Sequence, residues 1–126
     1  SPLEDFVFYK PVDGLITSSF DAQEKHFGVD IVTATNTPVK SCLDGVVVFA
    51  DWSSSKGNII IIQHVDNIVS TYMHNSILVK ETNDLVKAGE VVGIVGNSGE
   101  LTSGPHLHFE LWQNGMPINP EEYMDW

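Results

Sequence analysis

Apolar and polar residues alternate with a period of two along most of this chain, the pattern of strands with one buried face. The stretch HLHFELW (106–112) is its plainest case: Leu107, Phe109 and Leu111 fall on one face, and His106, His108 and Glu110 on the other. Further β-branched, apolar segments recur at short intervals: GLITSSF, VDIVTA, GVVVFADW, NIIIIQHV, NIVSTYMH and EVVGIVG, with Gly, Pro, Asn or Asp between them. No long window sustains a helical period, and one helical turn is expected near Pro120 to Tyr123. Asp66-Asn67, two residues that tolerate positive φ, predict a hairpin between NIIIIQHV and NIVSTYMH. PVKSCLDGVVVFA and LVKAGEVVGIVG share a V-K, a turn with glycine and a valine-rich strand, as a short duplicated β-unit would. GNSGELTSGP (96–105) reads as a surface loop leading to His106. The fold class expected is all-β, a compact antiparallel sheet or sandwich.

With 126 residues and 42% hydrophobic content, the chain can build one core, and residues 1–126 are expected to form one domain. Six lysines, no arginine and 17 acidic residues leave a net charge of −11, which repels nucleic acid and anionic lipid. Without arginine there is no bidentate clamp for an anion, so lysine, backbone N–H or a metal would have to meet one. Cys42 stands alone, which excludes an internal disulfide and a multi-thiolate zinc site. The longest apolar run, Ile59 to Ile62, is far too short to cross a bilayer, so no membrane insertion is expected of this segment.

The candidate chemistry lies in five histidines: His26, His64, His74, His106 and His108. A lone His-x-His is most often a pair of surface side chains, yet its Cα atoms stand roughly 6.6 Å apart on a strand, close enough to serve one small site. His26 has Asp30 four residues on, in HFGVD. In a straight strand those two Cα atoms would be about 13 Å apart, so a shared ion needs a bend, which Gly28 permits. That spacing alone leaves a metal ligand and an exposed histidine equally open. Two imidazoles, a carboxylate and a water make the ligand set of a catalytic zinc site. The His-Glu-x-x-His protease motif is absent. His74 should end a hairpin strand, facing either the same cleft or solvent, and His64 has no partner near it in sequence and reads as a background residue.

HFGVD, TYMHNS and GPHLHFE, in that order, with DGVVVFADW and VKAGEVVGIVGNSG between them, resemble the lysostaphin/LytM family of zinc endopeptidases from about Pro11 to Tyr123. The resemblance implies one zinc per chain on His26, Asp30 and His108, with His74 and His106 as a catalytic pair that does not ligate it. It also implies a narrow substrate groove, with GNSGELTSG forming one wall. The chain departs from the family pattern in a short DAQEK segment without arginine, in Asn75 where leucine is usual, and in its strong negative charge.

The function so implied is hydrolysis of peptide bonds in the cross-links or stem peptides of bacterial peptidoglycan. The partner would be peptidoglycan peptide, the location the cell envelope, periplasmic or extracellular, and targeting or regulatory modules could lie outside this chain. Two other readings compete. One is an inactive LytM-like domain that binds or activates cell-wall enzymes, which ordinarily lacks ligands that this chain has. The other is a phosphohistidine carrier related to sugar phosphotransfer proteins, which leaves Asp30 and the His106/His108 pair without a task.

Overall fold

The computed structural model describes residues 3–96 and 104–126. A 3₁₀ turn at Leu3–Asp5 precedes β1 (Leu15–Ser18), β2 (Val29–Val32), β3 (Pro38–Lys40), β4 (Gly45–Ser53), β5 (Gly57–Gln63) and β6 (Ile68–Leu78). Then come β7 (Leu85–Val86), β8 (Val91–Val95), β9 (His106–Gln113) and β10 (Met116–Ile118), and a second 3₁₀ turn at Pro120–Glu122 where a helical turn was expected. The strands form one open antiparallel sheet, so of the two arrangements expected the chain takes the sheet. Its main path runs β1-β2-β9-β6-β5-β4-β7, with β10 on β9 and β8 bridging β6 and β3.

Alternation decides which face of this sheet is the core. On β9, Leu107, Phe109 and Leu111 are fully buried, and they meet Val29, Ile31, Ile60, Ile62 and Tyr72 from the neighbouring strands. The opposite face carries His106, His108, Glu110 and Trp112, all partly exposed. The predicted hairpin joins β5 to β6, with Asp66 and Asn67 both at positive φ, 57° and 58°. Residues 97–103, most of the expected surface loop and groove wall, lie outside the described residues.

The two similar segments interlock instead of stacking. β3 of the first pairs with β8 of the second, and β7 of the second pairs with β4 of the first. Between them Ser41 donates its N–H to the Glu90 carbonyl at 2.9 Å, while Gly89 donates to the Ser41 carbonyl at 2.8 Å. Each unit therefore supplies the strand partner that the other lacks, which fits a duplicated motif.

One irregularity in β6 aims the site. Tyr72 pairs with Ile60 and Asn75 with Asn58, so β6 spends one more residue than β5 over this span. This is a β-bulge, and it bends the strand and re-aims a side chain. Tyr72 and Asn75 are both buried, so Met73 and His74 must share the outer side between them. His74 takes a φ of 73°, unusual for a residue with a Cβ. Its backbone is held at both ends, its N–H donating to the Lys56 carbonyl (2.9 Å) and its carbonyl accepting from Gly96 (3.2 Å). The Asn75 side chain donates to the carbonyls of Asn58 and Tyr72, both at 3.0 Å, and so serves backbone acceptors that the bulge leaves off the regular ladder.

Candidate metal centre

Strand register assembles the first part of the site. β2 and β9 are neighbours, with Asp30 directly opposite His108 and Val32 opposite His106. His108 lies opposite Met73 on its other side, next to the bulge that carries His74. His26 precedes β2 and returns to Asp21 through a tight turn in which Lys25 has φ 57°. The chain passes so close to β9 that a Cβ at Gly28 would lie 2.3 Å from the Phe109 carbonyl oxygen and 3.1 Å from His108 Nε2. Gly28 matters here because no side chain fits between the strands.

Five of the residues singled out in the sequence come together. The ligand atoms of His26, Asp30 and His108 lie within 4.8 Å of one another. Asp30 spans the two imidazoles, with Oδ1 2.7 Å from His108 Nδ1 and Oδ2 3.1 Å from His26 Nε2. His74 and His106 lie alongside with ring centroids 4.9 Å apart, and His74 is 6.4 Å from the His108 ring by the same measure. The fifth histidine, His64, is not part of this group. It is buried on the core face, where Nδ1 donates to the Asp44 carbonyl at 2.7 Å and Nε2 pairs with Ser70 Oγ at 2.7 Å. Its partners are 20 residues before it and six after, out of reach of a local sequence pattern.

The donor set fits a metal ion. A metal-ligating histidine ordinarily donates its other ring N–H to a carbonyl or carboxylate, which fixes the tautomer. Both imidazoles beside Asp30 have such an anchor. His26 Nδ1 donates to the Ser19 carbonyl at 2.8 Å, and His108 Nε2 to Glu110 Oε2 at 2.8 Å. That leaves His26 Nε2 and His108 Nδ1 turned towards Asp30, with sulfur-free, borderline ligands suited to zinc. His106 is anchored in the same way by Nδ1 to the Gly104 carbonyl at 3.0 Å, so its Nε2 is the nitrogen left for the cleft.

The electrostatics follow from packing two carboxylates around one imidazole. Burial alone would lower the pKa of His108, but hydrogen bonds and charge from Asp30 and Glu110 outweigh it and push the value up to about 9. Burial would raise Asp30, and the hydrogen bond and charge of His108, with His26 and His106 nearby, bring it below the ordinary carboxylate value instead. Glu110 follows the same balance, held down by His108 and by the Trp112 indole, whose Nε1–H donates to Oε1 at 2.9 Å. Glu110 was placed on the face of His108 by alternation, but nothing in the sequence identified its partner.

Concavities lie on both sides of this group. One, about 340 Å³, is lined by Ile61, Val69, Thr71, Met73, Glu110 and Trp112 and is mostly apolar. The other, about 310 Å³, is lined by Thr17, Asp30, Val32, Gly104, Pro105 and His106 and is more polar. The first borders the cluster at Glu110 and Met73, the second at Asp30 and His106.

The sequence profile of Peptidase family M23 matches residues 24–120. The chain is 39% identical over 95 residues to the DD-carboxypeptidase/endopeptidase Mpg of Neisseria meningitidis serogroup B, covering 75% of this chain and 22% of that protein. It is 35% identical over 116 residues to the murein hydrolase activator NlpD of Salmonella typhimurium, covering 90% of this chain and 30% of that one. The chain thus spans less than a third of the length of these curated relatives. Among solved structures it superposes on a zinc-containing peptidase from Vibrio cholerae with a TM-score of 0.85 and 30% identity, over 96% of this chain and 40% of that chain.

Proposed function

The chain belongs to peptidase family M23, and from that premise we propose that it is a zinc-dependent endopeptidase acting on the peptide part of bacterial peptidoglycan. His26 Nε2, an Asp30 oxygen and His108 Nδ1 would hold the ion. Zinc bound there supplies a Lewis acid for a peptide carbonyl and an activated water at neutral pH. His74 and His106 act on the substrate side. One neutral imidazole accepts the proton of the attacking water, and the other donates to the oxyanion that develops on the scissile carbonyl. For His106 the acting atom is Nε2, because Nδ1–H is committed to the Gly104 carbonyl. The peptide lies along the outer face of the sheet, one arm over each concavity, and two concavities flanking the cluster suit an extended chain better than a compact metabolite.

The observation that carries this reading is the second histidine pair, held 4.9 Å apart beside the three-ligand cluster by a bulge and a positive-φ residue. A binding domain has no use for that arrangement. The relative named as a murein hydrolase activator favours the competing reading, a domain that binds or activates cell-wall enzymes without cutting. Purified protein, with and without chelator and with zinc restored, should be incubated with peptidoglycan and the fragments weighed by mass spectrometry. New peptide termini that vanish on chelation and return with zinc are expected. Intact peptidoglycan with the zinc-loaded protein would favour the activator, and cutting at full rate by metal-free protein would overturn the zinc reading. The same reading implies a place in the cell envelope, where peptidoglycan is.

A further inference from the structure

We propose that Glu110 is a positioning residue of the metal centre: it holds His108 in the tautomer whose Nδ1 is free for the ion, and Trp112 in turn holds the Glu110 carboxylate. The proposal rests on the zinc reading above and adds to it a chain of three outward-facing residues, 108, 110 and 112, on one strand.

A neutral imidazole carries one proton on either of two nitrogens. Without an ion each nitrogen of His108 faces a carboxylate, Nε2 that of Glu110 at 2.8 Å and Nδ1 that of Asp30 at 2.7 Å. An ion bound beside Asp30 would displace the Nδ1 proton, and the Glu110 carboxylate, which can only accept, keeps the remaining proton on Nε2. The second Glu110 oxygen accepts from the Trp112 indole at 2.9 Å. Both oxygens are thereby assigned, and the carboxylate cannot rotate without losing one donor. Gly28 closes the arrangement from the adjoining strand, since a Cβ there would lie 2.8 Å from Glu110 Cγ and 3.1 Å from His108 Nε2. The Glu110 side chain is only 15% exposed, so water competes poorly for either bond.

This geometry makes an unusual demand of glutamine at position 110. Its amide offers one oxygen and one NH₂ to two donors. With the oxygen on His108, the NH₂ faces the indole N–H. With the oxygen on Trp112, the NH₂ faces His108 Nε2 and drives the proton to Nδ1, the nitrogen the ion needs. Glu110→Gln should therefore be nearly as harmful as Glu110→Ala, in spite of its near-identical shape. Removing the indole N–H with Trp112→Phe frees the amide to turn its oxygen to His108, so the double variant E110Q/W112F should recover.

The test measures zinc affinity by competition with a chromophoric chelator, and records the ring ¹H–¹⁵N signals of His108 in the zinc-loaded protein. Wild type should show a slowly exchanging Nε2–H. E110A and E110Q should bind zinc about 10- to 100-fold more weakly, the usual loss when the outer partner of a metal-bound histidine is removed. They should also lose that protected signal. The double variant E110Q/W112F should regain most of the affinity and the signal, a rescue that a merely structural role would not produce. Far-ultraviolet dichroism of the metal-free proteins verifies folding, and if E110A does not fold, E110Q and the double variant decide. Zinc bound by E110Q as tightly as by wild type, or no recovery in the double variant, overturns the role of Glu110 while leaving the metal centre intact. Failure of wild type to bind zinc, or unchanged affinity in His26→Ala, overturns both.

Discussion

Two histidine networks lie on opposite faces of the same sheet, and they differ in what their polar atoms point at. On the core face, His64 donates to Asp44 and pairs with Ser70, whose Oγ lies 2.8 Å from the Tyr72 hydroxyl, which in turn accepts from the Cys42 N–H at 3.0 Å. Each partner is neutral and belongs to the protein, and the group is sealed in the core. On the outer face, two imidazoles and two carboxylates meet with their remaining nitrogens turned towards Asp30, open to the cleft. A closed, uncharged network fixes a fold, whereas a charged, converging one has capacity left for a ligand. Residue type does not separate the two; the count of carboxylates and access to solvent do.

The contrast is broken most severely by removing a converging ligand. Asp30→Ala or His108→Ala should abolish zinc content, measured by elemental analysis, and cut turnover on a cross-linked muropeptide by about 10³-fold or more. Next in size, His74→Ala and His106→Ala should retain zinc and the melting temperature while losing about 10²- to 10⁴-fold in rate. Loss of metal in His106→Ala with retention in His108→Ala would reverse the assignment within that pair.

On the core face the expectation inverts. His64→Ala should lower unfolding stability by about 1–3 kcal/mol in denaturant titration, by leaving Ser70 and the Asp44 carbonyl without their partner, with zinc content per folded molecule unchanged. The smaller effect is a pH dependence. Burial holds the pKa of His64 below its ordinary value, against a weaker opposing pull from Asp44. Below about pH 6.5 the unfolded chain therefore binds a proton that the folded chain resists, and the His64 contribution, whole above that pH, drains away as the solution becomes more acidic. The gap in melting temperature between wild type and His64→Gln, recorded with chelator present, should narrow as pH falls from about 7.5 to about 5. Smallest of all, Cys42 should resist thiol reagents in the folded protein, since burial pushes its pKa up to about 11.

Much of this was legible in the sequence, and the rest was hidden for identifiable reasons. Period-two alternation gave β9 with its two faces, and Asp66-Asn67 gave the β5–β6 hairpin, because both signals are local. HFGVD, TYMHNS and GPHLHFE gave the family. Gly28 was read as the place where the chain can bend, and the chain bends there; its second role, clearance beside β9, is one that no single strand can reveal. Straight alternation from Tyr72 would have turned His74 into the core; only the partner strand shows that β6 carries an extra residue there. The partners of His64 and Glu110 depend on register and side-chain direction, and both emerge only from tertiary pairing.

The distance along the chain between Asp30 and His108, 78 residues, gives the cleft a place in time. The β2–β9 ladder that unites them cannot form until both strands exist, and non-local pairings of this kind form slowly. His26 and Asp30 emerge from the ribosome long before the imidazole that completes their group. A chain stalled or clipped before β9 has neither a finished sheet nor the third member of the His26, Asp30 and His108 group, so the candidate metal centre arrives together with structural completion. On the reading proposed above, that ordering would act as a built-in delay, since the metal centre exists only once β9 has joined the sheet.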